Sequence, residues 1–262
     1  MISINRIYAM IYRYTVNMRH NFDRMSDMFY WPAMDLFVWG LTGRYFSELS
    51  SDPKQTMLIL LTGLIFWIVV WRAQYEITTN LLAEMWDQNL VNIFASPLKV
   101  SEWIIAVMIF GFIKMIISII FSAGLAYLLY GYPIFIYGTS TIPIILSLIL
   151  TGWSTGFLIA ALIIRYGQKI QTLAWMGGYI IAPFSALYYP IAILPKWAQS
   201  VAKFVPSSYM FEAMRHLLQD HQISFQQFFI SFILNMVYLT IGISFFMFMF
   251  RKSKKIGLGR FG

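Results

Sequence analysis

Long apolar stretches separated by short polar ones dominate this chain. Six have the length of a bilayer crossing, which takes about 20 predominantly apolar residues. They fall at roughly 29–47, 56–75, 103–130, 141–164, 170–190 and 227–250. The fourth runs from Ile142 to Ile164 without a charge, whereas Asp35 and Arg44 interrupt the first. The pattern predicts an all-α integral membrane protein with six transmembrane helices. An N-terminal segment over 1–28 precedes the six-span domain over 29–250, and a basic tail over 251–262 follows it. No internal repeat or low-complexity linker is evident.

The polar stretches carry their own periodicity. Ile4, Ile7, Tyr8, Ile11, Thr15, Met18 and Phe22 form one helical stripe, and Arg6, Arg13 and His20 recur on another face. That is the pattern of an amphipathic helix lying in the membrane interface, with its basic side toward lipid headgroups. Between the second and third spans, Leu82, Met85, Trp86, Asn89, Ile93 and Phe94 fall at spacings of three and four, with Glu84, Asp87, Gln88 and Asn92 opposite. Pro97 ends that helix. Two readings are open, a membrane-surface helix and a protein docking surface. The acidic face favours docking, because anionic lipid would repel it. Between the fifth and sixth spans, prolines at 183, 190, 195 and 206 punctuate the chain. Trp197, Val201, Phe204 and Val205 make an apolar face there, and Ser207 or Ser208 can cap a helix running to about Gln219.

Composition sharpens the class. The 262 residues are 59% hydrophobic, 18% aromatic and 11% charged, against about 25% charged in a soluble domain. With no cysteine, disulfide frameworks, thiolate metal sites and cysteine nucleophiles are excluded. The net charge of +8 points to a membrane surface rather than to nucleic acid in so apolar a chain. The first residues do not read as a cleaved secretion signal, since charges recur from Arg6 to Asp27. With both termini inside, thirteen Lys and Arg residues fall in inner flanks: four from Arg6 to Arg24, Arg72, Lys99, Arg165, Lys169 and five from Arg251 to Arg260. Five fall outside, at Arg44, Lys54, Lys196, Lys203 and Arg215, and Lys114 sits within the third span. This bias predicts cytoplasmic termini.

Candidate chemistry is sparse. Lys114 is a costly cation at membrane depth, and Asp35 is its candidate partner. Together they read either as a polar site on a translocation path or as an ion pair holding two spans. Gly152, Gly156 and Ala160 recur every four residues, the spacing that lets helices pack closely, and Gly177 and Gly178 read the same way. Tyr188, Tyr189, Trp197 and Tyr209 are either an interfacial belt or an exit slot for an amphiphile. His216, Asp220 and His221 lack the spacing of a metal site or an acyltransferase dyad. No Gly-x-x-x-x-Gly-Lys-Ser/Thr loop is present to cradle nucleotide phosphates.

Two stretches carry a family resemblance. One is Glu84–Trp103, with Ser96-Pro97-Leu98 leading into the third span. The other holds, in order, Tyr189-Pro190, Pro195-Lys196-Trp197, Pro206-Ser207-Ser208-Tyr209 and Glu212-Ala213-Met214-Arg215. Together they resemble the membrane subunits of type-2 ABC exporters, over essentially the whole chain. Asn89 and Val205 stand where that family often has Gly and Asn. The resemblance implies a transporter permease rather than an enzyme, with ATP and Mg bound by a separate ABC ATPase subunit and no cofactor on this chain. It also implies a second permease subunit, most simply an identical one, in a bacterial or archaeal cytoplasmic membrane. Glu84, Trp86, Asp87, Asn89 and Phe94 would form the ATPase-coupling helix. Asp35 and Lys114 would lie on the translocation path, and Tyr188, Tyr189, Pro190, Trp197 and Tyr209 at an outer gate. The substrate class it implies is a drug-like or lipid-like amphiphile. Lipid-linked polysaccharide is the alternative, and an energy-independent lipid transporter or scramblase a second one.

Overall fold

The computed structural model describes residues 2–134, 138–220 and 224–257. His221 and the end of the basic tail, from 258 on, lie outside the described residues. The described chain is helical, without strands. Its helices are α1 (Ile4–Arg19), α2 (Phe22–Glu48), α3 (Pro53–Trp86), α4 (Leu90–Ala95), α5 (Val100–Tyr130), α6 (Ile142–Tyr166), α7 (Leu173–Ile181), α8 (Lys196–Ala202), α9 (Pro206–Asp220) and α10 (Phe225–Ile256).

Among the described residues, four stretches are long and apolar enough to cross a membrane: α3, α5, the 138–170 stretch containing α6, and α10. Their outward faces are greasy. Ile113, Ile116 and Ile120 on α5 and Phe229, Ile233 and Val237 on α10 are exposed, as suits helices whose solvent is hydrocarbon.

The other two expected spans differ from the sequence reading. Helix α2 has 27 residues, ample length, but it carries Asp23, Arg24, Asp27, Asp35, Arg44 and Glu48 and is not apolar enough. The expected span at 170–190 contains only the nine residues of α7 and a 3-10 turn at Ala182–Phe184. Pro183 stops it, because proline lacks the N–H and its ring clashes with the preceding turn.

The second apolar run, by contrast, does not end near 75. Nothing breaks the helix before Asp87, so α3 continues through Trp86. The chain turns at Gln88, whose φ of 51° is left-handed, and α4 follows. The amphipathic helix expected around 82–94 is therefore the end of α3 plus a separate turn of six residues. Ser96, held extended ahead of Pro97, stops α4.

Helix α3 lies at the centre, packed on α2, α5, α6, α7 and α9, while α10 lies along α6. Small residues set the close approaches. A Cβ on Gly152 would stand 2.5 Å from both the Val70 carbonyl and the Ala73 Cβ, and one on Gly156 would stand 3.0 Å from Ile77. Gly242 of α10 similarly approaches the Ser154 carbonyl. Between α6 and α10 runs a buried polar seam. Asn235 donates to the Ser147 carbonyl (2.9 Å) and accepts from Thr151 (2.9 Å), and the Ser147 and Ser231 hydroxyls meet at 2.7 Å. Such bonds act as interhelical glue in lipid.

Gly152→Ala is expected to force α3 from α6 and destabilise by about 1–3 kcal/mol, as overpacking does. Gly124→Ala is the control, since nothing lies within 4 Å of a Cβ there. Thermal unfolding in detergent distinguishes the two, and equal midpoints would exclude the close approach.

Candidate functional site

Polar residues at i, i+4 and i+8 of an apolar helix share a face. On α3 these are Arg72, Glu76 and Asn80, all buried. Asp27 of α2 and Lys114 of α5 meet them. The Arg72 guanidinium contacts the Asp27 carboxylate (3.2 Å) and Glu76 (3.3 Å), and its Nη2 donates to the Asp27 carbonyl (2.9 Å). Lys114 Nζ lies 2.7 Å from Glu76 and 3.6 Å from Asp27. Asn80 donates to the other Glu76 oxygen at 3.2 Å. Two cations and two carboxylates thus balance inside one three-helix contact.

Lys114 does have a partner, but not the expected Asp35; Glu76 and Asp27 occupy that place. Arg72, counted among the inner-flank cations, is fully buried. The legible signal is the i, i+4, i+8 spacing on α3, which runs past the span end expected near 75.

A second set of ion pairs clips α1 onto the bundle. Arg6 reaches Glu102 (2.8 Å) and the Pro97 carbonyl (2.7 Å), and Arg13 reaches Glu84 (2.7 Å). Glu102 also accepts from the backbone N–H of Ser3 (2.8 Å) and Lys99 (2.9 Å). Trp103 Nε1 donates to the Tyr14 hydroxyl at 2.9 Å. Burial, helped by the Glu84 charge, pushes the Tyr14 phenol above its usual range. Arg6 and Arg13 therefore turn toward protein carboxylates rather than lipid headgroups. The buried face of α1 is Ile7, Met10 and Tyr14, while Ile4, Tyr8 and Phe22 stay exposed.

The turn between α3 and α4 sorts the expected coupling residues into two groups. Trp86 and Asp87 are exposed, Asn89 is half-buried, and Glu84 and Phe94 are buried. Glu84 is thus not on an open acidic face; it accepts from Arg13 and from Asn89 (3.2 Å). Phe94 packs edge-on against Phe250 and Trp103. Trp86 donates to Gln171 (3.1 Å) and stacks on Trp175 (6.2 Å). The α4 turn and the turn between α6 and α7 consequently touch.

Midway along the bundle, α2, α3 and α7 enclose a cavity of about 230 Å³. Trp31, Pro32, Asp35, Trp67, Ile68, Trp71, Tyr75, Trp175 and Tyr179 line it. Asp35 has no hydrogen bond or ion pair among the described residues.

At the α8 end, Glu212 and Arg215 of α9 hold the preceding loop. Glu212 accepts from the Ile191 N–H (2.7 Å), and Arg215 donates to the carbonyls of Ala186 and Tyr189, the latter at 2.9 Å. Burial pulls the Arg215 guanidinium below its ordinary pKa, and Glu212 opposes the shift. Tyr188 stacks on Trp39 at 4.8 Å. Tyr189 and Tyr209 donate to nearby carbonyls, of Pro183 (3.0 Å) and Lys203 (2.9 Å). Pro190 precedes a 3-10 turn at Ile191–Ile193, and Trp197 is exposed beside Phe184. No ring contact joins these four aromatic residues among the described residues.

Comparison with known proteins gives two results. No curated protein matches the chain. The family model of the ABC-2 type transporter membrane domain matches residues 7–219, a span that includes the charge cluster, the α4 turn, the aromatic cavity and the Glu212–Arg215 clamp. The chain therefore belongs to the ABC-2 type transporter family, as a multi-pass membrane permease subunit whose partner is an ABC ATPase.

Proposed function

We propose that this subunit forms the pathway of an ATP-driven exporter that moves a drug-like or lipid-like amphiphile outward from the cytoplasm or the inner leaflet. It would work as a dimer of identical subunits in a bacterial or archaeal cytoplasmic membrane. Helix α2 and the segment around α7 would complete six crossings, with both termini inside. Arg72 and Arg215 are buried and cannot report on orientation, but without them the Lys and Arg count is still twelve inside against four outside.

One observation carries the reading. Helix α3 is unbroken from Pro53 to Trp86, so it joins the α4 turn to the aromatic cavity as one rigid rod. Trp71 and Trp86 are fifteen residues apart, about 23 Å at 1.5 Å per residue. Trp175 touches Trp86 and also lines the cavity. A push on the α4 turn would reach both walls of the cavity together. In this reading the ATPase receives the exposed Trp86 and Asp87, while Glu84, Asn89 and Phe94 fix the shape of the turn. Asp35 lies on the path, and Lys114 holds helices together. The loop from Tyr188 to Tyr209 closes the outer face.

The test is co-purification with candidate ATPases and measurement of ATP hydrolysis. Trp86→Ala is expected to cut permease-dependent stimulation at least about tenfold, as truncating an interface tryptophan does. Gln171→Ala removes only the internal hydrogen bond and is expected to retain stimulation. Full stimulation in Trp86→Ala would sink the docking assignment.

A further inference from the structure

Charge balance singles out the cavity between α2, α3 and α7. Deeper toward α5, Arg72 and Lys114 are matched by Asp27 and Glu76. That leaves Asp35 as a carboxylate facing the cavity with no cation among the described residues. Around it stand the rings of Trp31, Trp67, Trp71, Trp175 and Tyr179. Aromatic faces carry negative potential and attract cations, tryptophan most strongly, and the attraction grows where water is scarce. This chain already uses two of its rings so: the Arg72 guanidinium lies 5.2 Å from the Trp71 centroid and 5.7 Å from that of Tyr75. A lone carboxylate in a shell of indoles repels anions and attracts cations.

We propose that this cavity binds the cationic head of an amphiphilic substrate, an alkylammonium or quaternary ammonium group, with Asp35 as counter-ion and the tryptophans as its cage. The proposal rests on the exporter reading for its meaning in transport, but the site can be tested without it. The cavity's size suits a small organic cation, and exposed Trp31 and Tyr179 leave it open sideways for an apolar tail to stay in lipid.

The experiment uses the full chain in lipid nanodiscs without ATPase, following tryptophan fluorescence. Three probes are titrated: benzyltrimethylammonium, its uncharged carbon isostere neopentylbenzene, and benzenesulfonate. Four of the nine tryptophans line the cavity, so occupancy has a direct signal. Saturable quenching is expected for the ammonium alone. Asp35→Asn is expected to weaken it at least about tenfold, the scale of a desolvated cation contact, and Asp35→Glu to restore most of it. Trp175→Leu should weaken it independently of the carboxylate. Equal response to ammonium and isostere, or no change in a monodisperse Asp35→Asn protein, would overturn the assignment. If binding fails while Trp86-dependent ATPase stimulation persists, the cation site is wrong and the exporter reading stands. If Asp35-dependent binding persists without any such stimulation, the site stands and the exporter reading falls.

Discussion

Glu76→Gln is expected to remove about 3–5 kcal/mol of stability, the usual effect of taking one partner from a buried ion pair. Glu76 sits between two cations, 2.7 Å from Lys114 and 3.3 Å from Arg72. The amide would leave both facing Asp27 alone, at 3.6 and 3.2 Å. One net positive charge would then remain in a site from which water is largely excluded. The remedy is specific. Glu76→Gln combined with Lys114→Met restores neutrality and keeps the Arg72–Asp27 pair, so the double variant is expected to be more stable than the single one. Thermal unfolding of detergent-purified protein, with size-exclusion profiles, reads both. A double variant no better than Glu76→Gln would mean that shape, not charge balance, governs the cluster. Asp35→Asn serves as a reference, because Asp35 stands outside this balance.

How far this was legible in the sequence depends on whether the signal lies along the chain or across it. The long apolar helices were readable because hydropathy is a property of consecutive residues, and Gly152 and Gly156 because their spacing alone marks a packing face. Pro183 was visible too, yet the apolar residues around it read as a span, although proline sets the length of α7. Lys114 was recognised as costly, but its partners lie 38 and 87 residues away. Only the depth at which α2, α3 and α5 pack decides that Asp27 and Glu76, rather than Asp35, reach it. Arg6 and Arg13 fail as predicted lipid contacts for the same reason. Their basic face was correct, but the buried carboxylates of Glu84 and Glu102 offer a stronger partner than headgroups do, and sequence periodicity does not say what faces a stripe. The Glu212–Arg215 spacing is visible in the sequence but its task is not, because its targets are backbone carbonyls and an N–H, which no sequence displays.

That task leads to the second large effect. Arg215→Ala is expected to cost about 2–4 kcal/mol, since charge-assisted hydrogen bonds contribute roughly 1.5–3 kcal/mol each and the carbonyls left behind are partly enclosed. The guanidinium ties the Ala186 and Tyr189 carbonyls to α9, while Glu212 takes the Ile191 N–H. Loop and helix are thereby fastened at three backbone points. The loop needs fastening: Ala186 has a φ of 57°, a left-handed conformation that disfavours a side-chain-bearing residue by about 1–2 kcal/mol. Releasing the clamp should let Ala186 relax and withdraw Tyr188 from its stack on Trp39, so faster hydrogen exchange over 185–191 should accompany the lower melting point. Arg215→Lys is expected to recover less than half of the loss, because a compact ammonium does not reproduce a planar fork aimed at two acceptors. Ala186→Gly in the otherwise unchanged protein should add about 1 kcal/mol by easing the left-handed residue, and less in the Arg215→Ala background, where that residue has already relaxed. If Arg215→Lys matches the parent protein in both melting and exchange, the positive charge beside Glu212 matters and the carbonyl clamp does not.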